Sequence, residues 1–161
     1  MNYINSQTLI SCIIIVILYS VFIWLYIYNS SKSNKAMVYV LFASYLIGYL
    51  YLTFLNRHSG KLVFRLDPFG DIFKSIKSGR MPYEPLLNVL LYIPFGMTLP
   101  LFSAKEMSYK HMFFIGMGLA FSTEALQLIT RHGEFATKDI LMNTLGAILG
   151  LLIYKKVLER I

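Results

Sequence analysis

Long stretches without a single ionisable residue alternate with short polar ones along this chain. Residues 8–28 and 36–55 contain no Asp, Glu, Lys, Arg or His, and residues 86–102 keep Asn88 as their main polar side chain. Two more apolar runs follow, at about 110–130 and 138–157. A hydrocarbon core about 30 Å thick takes about 20 residues of helix to cross. The pattern predicts an all-α membrane protein, a bundle of about five transmembrane helices forming one domain over residues 1–161.

The connections are short except for residues 56–85. Within that stretch Phe69, Ile72, Phe73 and Ile76 recur at i, i+3, i+4 and i+7, with Asp71, Lys74 and Lys77 on the other side. Asp67 is placed to cap such a helix, Pro68 suits its first position, and Ser78-Gly79 supplies a stop. The expectation is a short amphipathic helix over 68–77, lying either on the membrane or over the end of the bundle. In the third span, Pro94 cannot donate to the Leu90 carbonyl, so a kink or a loosened turn is expected there, close to Gly96 and Pro100. Gly146 and Gly150 form a small-xxx-small stripe on the fifth span that lets a neighbouring helix approach closely.

With 57% hydrophobic and 14% charged residues among 161, little chain is left for a soluble domain. The net charge of +7 fits anionic lipid headgroups rather than nucleic acid in a chain of this kind. Membrane lipids are the expected partners, and no cofactor is expected. Cys12 is the sole cysteine, which excludes an internal disulfide and a cysteine-based zinc site. The N-terminal run is longer than an ordinary signal sequence, lacks a basic leader and a small-residue cleavage site, and reads as a retained helix. The loops expected on the two faces carry nearly equal numbers of Lys and Arg, so charge alone does not orient the bundle. Discounting the basic residues beside the candidate site described next makes the C-terminus cytoplasmic.

Glu124 lies about two turns inside the fourth span. An ionised carboxylate there costs about 2.5–3.5 kcal/mol to insert, so it calls for a partner or a proton. Gln127 and Arg131 follow at i+3 and i+7 on the same helical face, and Arg131 is placed to reach back toward the carboxylate. The fifth span opens with Asp139 and, one turn on, Asn143; the third opens with Asn88. Connectivity puts the starts of the third and fifth spans and the end of the fourth on the same surface. Three readings stay open. The six residues form a structural network at about 0.6 kcal/mol per bond, a binding site for an amphiphile, or a catalytic site with Glu124 or Asp139 as acid or base. Two carboxylates and His132 make a weak metal site, and none is predicted.

The run from Asn88 to Gly96, then Ser122-Thr123-Glu124-Ala125-Leu126-Gln127, Arg131, and Asp139-Ile140-Leu141-Met142-Asn143-Thr144-Leu145-Gly146, resembles the VanZ-like family of bacterial membrane proteins. Asp67-Pro68-Phe69 is similar to that family's Pro-Phe element, and the likeness covers about residues 66–150. The resemblance implies a multi-pass plasma-membrane protein of a Gram-positive bacterium that lowers susceptibility to teicoplanin, a lipoglycopeptide. It leaves open whether the antibiotic, a lipid-linked cell-wall precursor or another surface component is engaged. Where relatives carry extra acidic residues before the position of Asp139, this chain has Ala136 and Lys138, which argues against an acidic metal cluster.

Overall fold

In hydrocarbon a backbone satisfies its own N–H and C=O groups most simply by coiling, and the apolar runs of this chain do so. The computed structural model describes residues 6–28, 35–55, 63–79, 83–131 and 133–158. Six helices follow in order: α1 (Ser6–Tyr28), α2 (Lys35–Leu50), α3 (Gly70–Lys77), α4 (Tyr83–Thr98), α5 (Tyr109–Thr130) and α6 (Thr137–Leu158). α2 widens into a π-helical turn at Tyr51–Leu55, and α4 tightens into a 3-10 turn at Leu99–Phe102, around Pro100. Four helical stretches are long and apolar enough to cross a membrane: Ala36–Phe54, Tyr83–Phe102, Tyr109–Thr130 and Thr137–Val157. α1 adds the apolar stretch Val16–Tyr26. Val40, Ile47 and Ile129 are 67%, 70% and 75% exposed, an untenable surface in water and an ordinary one against lipid tails. The chain is an all-α, multi-pass membrane protein in a lipid environment.

Two features differ from the sequence expectation. Two short strands, β1 (Phe64–Arg65) and β2 (Phe135–Ala136), pair in parallel with Phe64 opposite Phe135. α3 begins at Gly70, because the Asp67 carboxylate accepts the N–H groups of both Phe69 and Gly70, at 3.1 and 2.9 Å, and holds Pro68 and Phe69 in a bend ahead of the helix. Pro94 lies inside α4, and the Thr98 hydroxyl donates to the Pro94 carbonyl at 2.6 Å. The loops expected over residues 29–34, 56–62 and 80–82 lie outside the described residues, as does His132.

α4 and α6 form the most extensive helix pair and run parallel. Their glycines set the spacing. A Cβ on Gly96 would overlap the Ala147 carbonyl, one on Gly146 would overlap the Val89 carbonyl, and one on Gly150 would lie 2.8 Å from the Gly96 Cα. Backbone therefore meets backbone, an approach that any larger residue would block. Tyr49, Tyr92, Phe95, Met112, Ala120, Ala147 and Leu151 fill the core around this seam. α1 joins on the far side of α4, where the Tyr19 and Thr98 hydroxyls share a hydrogen bond of 2.8 Å and Ile23 packs on Met97.

α3 keeps its apolar side open. Phe69, Phe73 and Ile76 are 49%, 67% and 60% exposed. Gly79 ends the turn after α3 with φ at +70°, a backbone state that glycine adopts without a steric penalty.

Candidate functional site

The bundle holds two stacked polar layers near the end where α4 and α6 begin and α2 and α5 finish. The inner layer is a hydroxyl hub. Tyr49 on α2 bonds to the Tyr92 hydroxyl of α4 at 2.8 Å and to the Thr123 hydroxyl of α5 at 2.6 Å, while Tyr92 and Thr123 stand 3.5 Å apart. All three are buried. Each hydroxyl both donates and accepts, so the three satisfy one another in a setting where water cannot.

One turn outward, each helix presents a second polar residue. Thr53 follows Tyr49 by four, Asn88 precedes Tyr92 by four, and Gln127 follows Thr123 by four. On α6, Asn143 precedes Gly146 by three, and Gly146 packs on Tyr92. These spacings keep both members of a pair on one helical face, so Thr53, Asn88, Gln127 and Asn143 form an outer layer. They are 6%, 6%, 1% and 5% exposed. The Gln127 amide donates to the Thr53 carbonyl at 3.0 Å, a bond made in the π-helical turn, where regular helical pairing is disturbed.

Glu124 lies beside this layer and is 2% exposed. Its Oε2 accepts the backbone N–H of Ala136 at 2.8 Å. That N–H belongs to β2, whose Phe135 N–H donates to the Val63 carbonyl at 3.0 Å. The buried carboxylate thus anchors the turn between α5 and α6, and through it the strand that leads to α3. Asp139, in the first turn of α6, is also buried, with Oδ1 3.8 Å from Lys138 Nζ. Lys138 is itself buried and donates to Glu84 Oε2 at 3.1 Å, tying α6 to the start of α4.

Of the six residues singled out from the sequence, Asn88, Glu124, Gln127, Asp139 and Asn143 lie buried at this end of the bundle. Arg131 stands apart. It is the C-cap of α5 in the left-handed conformation, φ 57° and ψ 25°, and its side chain is exposed. The left-handed turn takes Arg131 off the helical face that carries Glu124 and Gln127, and a backbone N–H meets the carboxylate instead. Among the described residues no group of three or more His, Cys, Asp or Glu is placed to hold a metal ion.

Sequence reasoning passed over Tyr49, Tyr92, Thr53 and Thr123, and the buried pair Lys138–Glu84. The signal for the first four was present, since each polar residue sits four positions from another on its own apolar helix. Lys138 carried no such mark, being one basic residue of many at a predicted loop boundary.

Chemically, the buried charged groups are tied to backbone or to one another, while the two polar layers are made of hydroxyls and amides. Such a site is equipped to hydrogen-bond an uncharged polar group more readily than to hold a bare ion.

Comparison with known proteins agrees with this architecture. The sequence profile described as VanZ/LLP1 matches residues 8–159. Protein VanZ of Enterococcus faecium is 34% identical over 71 residues, a match covering 44% of this chain and 44% of the relative, less than half the length of either. No solved structure matches this chain. With nearly its whole length matched, the chain belongs to the VanZ/LLP1 family.

Proposed function

We propose that this protein is a resistance factor of a Gram-positive plasma membrane that lowers susceptibility to teicoplanin, and that it works through the polar cluster at one end of the bundle. Family membership and the likeness to Protein VanZ of Enterococcus faecium support the class of activity. The observation that supports the reading is that α2, α4, α5 and α6 each contribute buried polar side chains toward the end of the bundle where α4 and α6 begin. Buried polar groups in a membrane are costly, and they mark functional positions more often than ordinary packing.

With the C-terminus on the cytoplasmic side, the end holding Asn88, Glu124, Gln127, Asp139 and Asn143 faces outward. Teicoplanin carries a polar peptide head and an acyl tail, so its concentration at the cell surface depends on anchoring in the outer leaflet. A site at that depth, which engages either the antibiotic or a lipid-linked cell-wall precursor, changes the encounter without altering the precursor terminus.

The test compares labelled teicoplanin on cells carrying wild-type or Glu124→Gln protein at equal membrane abundance. Wild-type cells are expected to differ from cells lacking the protein in the amount or distribution of label, and Glu124→Gln cells to resemble the latter. Label unaffected by wild-type protein would contradict the proposal.

A further inference from the structure

We infer that the outer polar layer is a receptor for the uncharged, hydroxyl-bearing headgroup of a membrane amphiphile, a sugar headgroup in chemical class. This inference rests on the function proposed above and names the chemistry its site recognises.

Buried polar atoms of the outer layer stand without hydrogen bonds among the described residues. Asn88 Nδ2, Gln127 Oε1 and Asn143 Oδ1 are each buried and have no hydrogen-bond partner among the described residues. Buried polar atoms are nearly always paired, and each orphan calls for a reason. They come from three different helices, and all three lie one turn outside the Tyr49–Tyr92–Thr123 hub. Asn88 and Asn143 face the same level of the α4–α6 seam, just beyond the Val89–Gly146 contact. The hub beneath is closed on itself.

The orphan set selects its ligand. Among the three amides one atom donates and two accept, and Asp139 Oδ1 at the same end, 3.8 Å from Lys138 Nζ, adds an acceptor and no donor, so a bound group has to accept once and donate at least twice. Adjacent hydroxyls do both. A phosphate or carboxylate supplies acceptors alone and would leave Gln127 Oε1 and Asn143 Oδ1 facing an anion. An ammonium supplies donors alone and would leave Asn88 Nδ2 unmatched. The charged residues nearby are engaged elsewhere: Lys138 with Glu84, and Glu124 with the Ala136 N–H. An uncharged headgroup also avoids the cost of burying an unpaired charge.

The test uses the full chain purified in an amine-oxide detergent, which brings no hydroxyl groups. Thermal unfolding is followed with monoglucosyl diacylglycerol, with phosphatidylmethanol of the same acyl chains, whose anionic headgroup carries no hydroxyl, and with free glucose. Wild-type protein is expected to gain about 5 °C at saturating glycolipid and to gain less from the other two. Asn88→Leu and Asn143→Leu are expected to melt at or above the wild-type temperature without lipid, since each removes an unmatched polar atom, and to lose the glycolipid gain. Several outcomes overturn the inference: an equal gain with phosphatidylmethanol, full retention of the gain in both variants, or no gain at all, as a bound water alone would give. Marked destabilisation of both variants without lipid would also overturn it, because the amides would then be holding the helices together. Free glucose matching the glycolipid keeps the hydroxyl chemistry and overturns its membrane source. The proposed resistance role fails separately: cells with Asn88→Leu protein that stay protected, while wild-type protein binds glycolipid, would reject that role and leave this site standing.

Discussion

Glu124 holds the backbone N–H of Ala136 at 2.8 Å, across the turn that joins two membrane-spanning helices. The neighbouring residue, Phe135, holds the chain segment that leads into the amphipathic helix through Val63. The buried Glu124 carboxylate therefore helps to fix where the segment leading to α3 joins the bundle, together with the Arg65–Glu134 ion pair across the same turn.

This relationship predicts different outcomes for two substitutions at one position. Glu124→Gln keeps an oxygen that can accept the Ala136 N–H and should unfold close to the wild-type temperature. Glu124→Leu leaves that N–H without its acceptor and should cost about 1.5–3 kcal/mol, the range for hydrogen bonds to charged groups. Thermal unfolding of the purified variants separates the two, and equal stability of both would show that the bond contributes little.

The glycine seam makes a sharper structural prediction. Gly96→Ala and Gly150→Ala place a methyl group against the backbone of the facing helix, and overpacking of this kind costs about 1–3 kcal/mol. Gly48 and Gly118 have nothing within 4 Å of where a Cβ would lie. Alanine there should be neutral or stabilising by up to about 1 kcal/mol. A similar loss at all four positions, measured by unfolding, would contradict the assigned α4–α6 contact.

The open side of α3 should lie in the membrane. Phe69, Phe73 and Ile76 are exposed, and the rings of Phe121, Phe135 and Phe64 run in sequence, with centroids 5.8 and 6.0 Å apart, from the lipid-facing flank of α5 to β1. A polarity-sensitive fluorophore on Phe73→Cys, in a Cys12→Ser background in vesicles, should report an apolar setting, and one on Lys77→Cys an aqueous one. Equal aqueous signals at both sites would show that α3 stands clear of the lipid.

The cap of α3 should titrate. The Gly70 and Phe69 N–H groups hold the Asp67 carboxyl below the ordinary carboxylate range. A lowered folded-state pKa means the contribution is present above the ordinary value and lost as pH falls through the folded one. The helical order of α3, read by hydrogen exchange, is expected to be unchanged between pH 7 and pH 5 and to weaken well below pH 4. In Asp67→Ala protein that acid-dependent step should disappear, and its persistence would assign the step to another group.

The spans were legible because runs of uncharged apolar residues and the thickness of a bilayer leave few alternatives. α5 and α6 run within a residue or two of the stretches expected from the apolar pattern. The β1–β2 pairing was not legible, because two residues per strand carry no periodic signal and the partners lie far apart in the chain. Connectivity alone placed the starts of α4 and α6 and the end of α5 at one surface. It did not say which side chains meet there. Arg131 shows the limit: i+7 spacing puts it on the Glu124 face only while the helix continues, and the left-handed cap at Arg131 itself ends it. Tyr49 shows another, since a tyrosine in a membrane helix reads first as an interface anchor, and only the structure joins it to Tyr92 and Thr123.

The central claim is that the buried polar cluster acts in protection and not only in helix packing. Its most direct test is the teicoplanin concentration that stops growth of cells carrying wild-type or Glu124→Gln protein at matched membrane abundance. The account predicts that Glu124→Gln cells become as susceptible as cells without the protein. Full protection by the variant would contradict it.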